Sequence, residues 1–211
     1  MTAATTRSGR PKLPPTDTEA IRAEVKAEIQ AVLNKHKKNE AEQLRAVVAL
    51  AKPAEATLAE YGDFATALAL SLALYEGARG MSNVIGLSRE RFYKLTVDAL
   101  GEDWKRPSSW GPEIVERARK RKVPFYSDAA DMLPDIAQRV VHAKVMIEES
   151  RKVRDELMAR LYREKKMTRL EIADILERNP SRVSQVVYGT TRGKAKDEGE
   201  TKPKGKKKQQ S

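Results

Sequence analysis

Apolar residues return at intervals of three and four through most of this chain, a spacing that builds one-sided helices. Ile21, Val25, Ile29 and Val32 form one such series, and Ile136, Val140, Ala143 and Ile147 another. Aromatic residues make up only 5% of the sequence, and Ala and Leu carry much of the apolar content. These are helix formers rather than strand formers. The fold class expected is all-α, and 211 residues suffice for one or two modest domains.

Punctuation residues divide the chain. Residues 1–16 hold Gly9, Pro11, Pro14 and Pro15 among polar residues and read as a disordered basic arm. Thr16-Asp17 offers an N-cap to a helix reaching about Lys38, and a second helix from about Glu40 should stop near Ala51, before Pro53. An Ala/Leu-rich helix covers 64–78, and Gly77 and Gly80 interrupt it. Residues 17–100 are thus one helical domain, and residues 101–133 a linker with a short basic helix over Glu113–Lys122. Trp104 and Trp110 in that linker are expected to pack it onto the helical body. Pro134 can open a long helix to about Lys166, because proline is tolerated in a first helical turn. Its apolar seam admits a homodimer, but Ser150 and Arg154 at the next seam positions favour burial within the chain. Residues 134–190 form the second helical unit, closed at Gly189, and 191–211 a disordered basic tail.

Net charge is +11, and it is uneven. The first sixteen residues contribute +3 and residues 192–211 contribute +5, leaving +3 for the body. An anionic partner suits this balance. The chain has no cysteine, which excludes disulfides and thiolate chemistry, and His36 and His142 stand far apart. No apolar run reaches the ~20 residues a membrane span needs, and the opening residues lack a signal-peptide stretch. A cytoplasmic protein without metal, cofactor or catalytic residues is expected: no metal-ligand cluster and no phosphate-cradling glycine loop is present.

Two segments share one internal spacing. In the first, running from Met81 to Leu95, Ser82 is followed by Gly86, Phe92 and Leu95 at intervals of four, six and three. In the second, from Met167 to Val187, Ala173, Glu177, Val183 and Val186 repeat those intervals. The pattern answers a geometric need. A small residue lets a second helix cross closely over the first, a left-handed residue turns the chain, and two apolar residues plug the space between. Ser88 and Asn179 can cap the second helices, with Pro180 at a first helical position. Met81, Ile85 and Leu87 supply core to the first segment; Leu170, Ile172 and Leu176 supply it to the second. The offset between the segments is 91 residues, and Leu70 and Leu161 also align at it. Within the aligned recognition stretch only Arg91 and Arg182 are identical, so a duplication stays open.

The run Ile85-Gly-Leu-Ser-Arg-Glu-Arg-Phe-Tyr resembles the helix-turn-helix of bacterial and phage regulators and resolvases, within a module spanning about 66–97. Residues 154–187 are similar to the helix-turn-helix of the promoter-reading domain of sigma factors, departing from it at Glu177, where a turn glycine is expected. Both resemblances imply double-stranded DNA as partner, with the second helix of each module in the major groove. Residues pointing away from the plugs are the candidate contacts: Ser88, Arg89, Glu90, Arg91, Tyr93 and Lys94 in the first module. In the second they are Asn179, Ser181, Arg182, Ser184, Gln185 and Tyr188. Arg89 suits guanine, Glu90 cytosine and Gln185 adenine; other contacts would hold phosphates. Arg7-Ser-Gly-Arg-Pro-Lys12 resembles the AT-hook, with Ser8 in place of its first arginine, so Arg10 and Lys12 are either minor-groove contacts or part of a solvated arm. Lys206, Lys207 and Lys208 would add sequence-blind affinity.

The functional expectation is a sequence-specific, nucleoid-associated regulator acting by site occupancy, with RNA polymerase as a further partner. The alternative is an architectural, partition, replication or packaging accessory of a plasmid or phage. A recombinase-like enzyme and a helical scaffold with RNA-binding tails are less favoured.

Overall fold

The computed structural model describes residues 4–5, 11–104 and 110–195, with side chains over 12–104 and 110–188. It is all-α. A pairing of two residues on each side, β1 (Ala4–Thr5) with β2 (Pro11–Lys12), precedes α1 (Thr18–Lys35), α2 (Glu40–Tyr75), α3 (Met81–Val84) and α4 (Arg89–Leu100). Then come α5 (Pro112–Lys120), α6 (Ala129–Arg163), α7 (Arg169–Leu176) and α8 (Pro180–Ala195).

Helix α2 lies lengthwise and antiparallel against α6. One buried cluster joins Leu44, Val47 and Ala54 of the first half of α2 to Leu157, Met158 and Leu161 near the end of α6. A second joins Leu68, Ala69 and Leu72 of the last half of α2 to Ala129, Leu133 and Ala137 near the start of α6. Helix α1 adds Ile21, Val25 and Ile29 to the first cluster. Residues from both halves of the sequence share that core, so the linker at 101–133 does not separate two cores. The α6 seam is spent here as well: Val140, Ala143 and Ser150 are buried within the chain, which leaves no free stripe for a coiled-coil partner at those positions.

Neither the helix end expected at Pro53 nor the helix start expected at Pro134 occurs. Pro53 lies inside α2, and Pro134 lies in the second turn of α6, which opens earlier, at Ala129. A mid-helix proline forfeits one backbone hydrogen bond and costs about 3 kcal/mol. Burying one large apolar side chain returns about 1.5–3 kcal/mol, and α2 carries Leu44 and Val47 before Pro53 and Leu68 and Leu72 after it, all fully buried. The packing on both sides outweighs the local cost. Gly189 likewise does not end α8, which runs to Ala195.

The amino-terminal arm is anchored further upstream than its composition implies. Leu13 is buried in the second cluster, and the Thr16 hydroxyl donates to the Val84 carbonyl at 2.6 Å. Asp17 caps α1, accepting from the Ala20 amide at 3.0 Å, and Asn39 caps α2, accepting from the Ala41 and Glu42 amides. The tryptophans pack the linker onto the body as expected. Trp110 donates to the Leu74 carbonyl at 2.9 Å and lies so close over Gly77 that a Cβ there would sit 2.8 Å from its ring.

Ion pairs tie the helices together at the surface. Glu40, at the start of α2, accepts from Lys166 at 2.9 Å and Arg160 at 3.1 Å. Glu148 and the buried Glu149 of α6 pair with Lys152 and with Arg22 of α1. The hydrogen bond from Lys166, then that from Arg160, holds the Glu40 carboxyl below its ordinary range, and Lys152 does the same for Glu148 and Glu149.

Two outcomes follow. Pro53→Ala, at an exposed site, should raise stability by about 1–3 kcal/mol in urea unfolding, because it restores the backbone donor; a loss would mean that the proline is not a local cost. Carboxyls with depressed folded values stabilise the protein above the ordinary carboxylate range, near 4.3, and lose that contribution as pH falls through their folded values. Melting temperature should therefore hold from neutral pH to about 5 and fall below it. Glu40→Gln should start lower and fall less steeply, as thermal scans across that range would record.

Candidate nucleic-acid interface

Both modules are built by the same turn. In the first, α3 ends at Ile85, Gly86 takes a left-handed φ of +61°, and the Leu87 amide donates back to the Ser82 carbonyl at 2.8 Å. In the second, α7 ends at Glu177 with φ +51°, and the Arg178 amide donates back to the Ala173 carbonyl at 3.0 Å. The caps match too. Ser88 Oγ accepts from the Arg91 amide at 3.2 Å, and Asn179 Oδ1 from the Ser181 amide at 2.9 Å. Acceptor, left-handed residue and cap each recur at the 91-residue offset.

The two left-handed residues are held differently. At Gly86 a Cβ would lie 2.8 Å from Cγ2 of Val141, so both φ and space require glycine. Glu177 bears a side chain where glycine was expected, and it keeps the turn. Left-handed backbone costs an ordinary residue about 1–2 kcal/mol. The two-bond C-terminal cap, to Ala173 and Asp174, and an ion pair from Lys52 Nζ at 2.7 Å hold Glu177 in place. That pair is largely solvent-exposed and contributes little.

The plugs are partly as expected. Met81, Ile85 and Ser82 are buried, and Phe92 packs on the second core cluster. Leu95 is only half-buried. In α8 the inward pair is Val183 and Val187, each 1% exposed, with Val186 only partly buried beside them. Leu170, expected in the core, is 66% exposed. Two residues before Ile172, at 100° per residue, it falls on the opposite face of α7. A full capping box starts α7: Thr168 Oγ1 accepts from the Glu171 amide, and Glu171 accepts from the Thr168 amide at 2.7 Å.

The candidate contacts lie where the plugs leave them. Ser88, Arg89, Glu90, Arg91, Tyr93 and Lys94 are all exposed, as are Asn179, Ser181, Arg182, Gln185 and Tyr188. Besides Ser88 and Asn179, whose side chains cap their helices, three more side chains are engaged. The Tyr93 ring stands 6.0 Å from that of Trp104, Tyr188 shares a hydrogen bond with Tyr162 at 3.2 Å, and half-buried Ser184 accepts from Arg169 at 3.2 Å. Helical geometry puts Ser181, Gln185 and Tyr188 opposite the Val183–Val187 face, and Glu90 and Lys94 opposite Phe92. Lys12 is exposed on β2. Arg10, Lys206, Lys207 and Lys208, with the rest of the C-terminal tail from residue 196, lie outside the described residues.

Sequence reading missed the contribution of α6. Arg91 and Arg182 hold corresponding positions, at the edge of each exposed helix, and each faces cations of α6. Lys144 lies close enough to Arg91 that its pKa is lowered, first by burial and then by that charge; it donates to the Ile85 carbonyl at 3.2 Å. Arg182 and Gln185 line a groove of about 610 Å³ between α8, α2 and α6, beside Arg151, Arg154 and Lys52. Lys144 and Arg151 are seven residues apart, two turns, and so fall on one face of α6. Cations of α6 thus stand beside each module, with the exposed Glu148 between them on that face and Glu55 and Glu177 at the rim of the groove. Of these cations, the sequence marked only Arg154, as a polar residue in the α6 seam, and nothing in the sequence tied it to α8.

Comparison with protein-family models, with curated proteins and with solved structures finds no match for this chain. No helix among the described residues is long and apolar enough to cross a membrane, and no group of metal-ligating side chains occurs among them.

The two turns make opposite predictions. Gly86→Ala should cost about 2–4 kcal/mol, the sum of left-handed strain and a clash with Val141. Glu177→Gly should be between neutral and about 1 kcal/mol stabilising, since it relieves strain and loses only an exposed ion pair. Thermal or urea unfolding of the two variants side by side measures both.

Proposed function

We propose that this chain binds double-stranded DNA, laying α4 and α8 against major-groove edges while the α6 cations beside each helix hold the backbone. The observation that carries the reading is the match of Arg91 and Arg182 on two helices with the same turn and cap, each beside cations of α6. An exposed helix whose amino-terminus is capped by a short polar side chain offers a positive dipole end to phosphate. Lys144, Arg151 and Arg154 extend that positive surface without base chemistry, as phosphate contacts do. The side-chain chemistry of Arg89 suits guanine and that of Gln185 adenine. Binding of this kind acts by occupancy: a covered promoter is closed to RNA polymerase, and a nucleoid-associated location follows from the partner.

Two unlike recognition helices in one chain should read two unlike half-sites. Selection of bound duplexes from a random pool should return such a site, and footprinting should map it. Arg89→Ala should relax one position and Gln185→Ala another, each by about 1–3 kcal/mol. Lys144→Gln with Arg151→Gln should instead weaken all duplexes alike and lower the slope of log affinity against log salt by about 1 per lost phosphate contact. Equal affinity for duplex DNA, single strands and RNA, with no change in either variant set, would overturn the reading.

A further inference from the structure

A cavity of about 600 Å³ opens between the end of α2, α3, α4 and the start of α5. That is within the usual size of small-molecule sites, roughly 300–1,000 Å³. Four aromatic rings line it: Phe92, Tyr93, Trp104 and Trp110. They are a large share of a chain with three Phe, six Tyr and two Trp. None of the four is fully buried, so ring surface remains open to the cavity. Tyr93 and Trp104 stand 6.0 Å apart with planes inclined at 39°, and Trp110 is fixed by its bond to the Leu74 carbonyl. Among the described residues that line it, Arg79 and Arg89, both exposed, are the charged ones, and none is Asp or Glu. Ser82, Asn83 and Thr96 add small polar groups. Ring faces bind planar, apolar surface, and guanidinium groups bind carboxylate or phosphate in a planar, two-bond arrangement.

We propose that this cavity is a binding site for a small planar anion: an aromatic ring or base that carries a carboxylate or a phosphate. The ring lies among the four aromatic side chains, and Arg79 and Arg89 take the anionic group. Helix α4 forms one wall through Arg89, Phe92, Tyr93 and Thr96, so the site shares Arg89 and Tyr93 with the candidate DNA contacts. The proposal does not rest on the DNA reading.

Both tryptophans of the chain line the cavity, so tryptophan fluorescence reports on it directly. The full chain, without DNA, is titrated with adenosine 5′-monophosphate and with benzoate, and in parallel with adenosine, benzamide and ribose 5-phosphate. The expected result is a saturable fluorescence change with one of the two ring-bearing anions. Its affinity should be at least tenfold above that for the matching neutral ring and for ribose 5-phosphate. Arg79→Gln with Arg89→Gln should weaken that binding at least tenfold, and Thr96→Phe, which puts a further ring into the cavity, should abolish it. Circular dichroism checks that the variants keep their helices. Saturation by neither anion, equal binding of the neutral rings or of ribose 5-phosphate, or wild-type affinity in the folded variants would each overturn the proposal.

Discussion

The lengthwise packing of α2 on α6 is the contact on which the rest depends. Each is about 35 residues long, some 50 Å at 1.5 Å per residue. Their shared surface holds two buried clusters, one toward each end. Most of the other described helices are organised by it, while α5 packs through Ile114 and Ala118 in a third cluster with Leu74 and Leu100. Helix α1 and the α7–α8 module pack on the first cluster, and α3 with Phe92 of α4 on the second. The same contact makes mid-helix prolines tolerable, since losing either helix would expose both clusters.

Turn geometry comes next in consequence. Each module needs one left-handed residue between a short helix and an exposed one. Where α6 presses against that turn, at Val141, only glycine fits. Where the turn faces solvent, a glutamate takes the conformation, with its C-terminal hydrogen bonds intact and Lys52 alongside. One backbone solution is reached with two side chains because the space outside it differs.

Electrostatics then sets cations from other helices beside each module. Some acids of the body are engaged in pairs between and along helices, such as Glu40 with Lys166 and Glu149 with Arg22 and Lys152. The cations beside α4 and α8 come from α6 and α2 as well as from the exposed helices themselves. Positive charge beside α4 and α8 thus comes from several segments, although residues 17–191 carry only +3 of the formal total.

Local chemistry was legible in the sequence by itself. Apolar spacing announced the helices, Asp17 and Ser88 announced caps, Gly86 a left-handed turn, and the tryptophans a packed linker. Each depends on residues within a turn or two of one another. What depends on distant partners was decided by the tertiary structure. Pro53 and Pro134 continue helices because burial far along the chain offsets a lost hydrogen bond. Leu13 is buried because the second cluster needs a lid. Leu170 faces water because Ile172 and Ala173 already fill the side of α7 that meets the core. Lys144 and Arg151 join the candidate interface because α6 passes beside both exposed helices. A single sequence states which side chains are available and at what period; which face of each helix is covered, and by what, follows only from the packing.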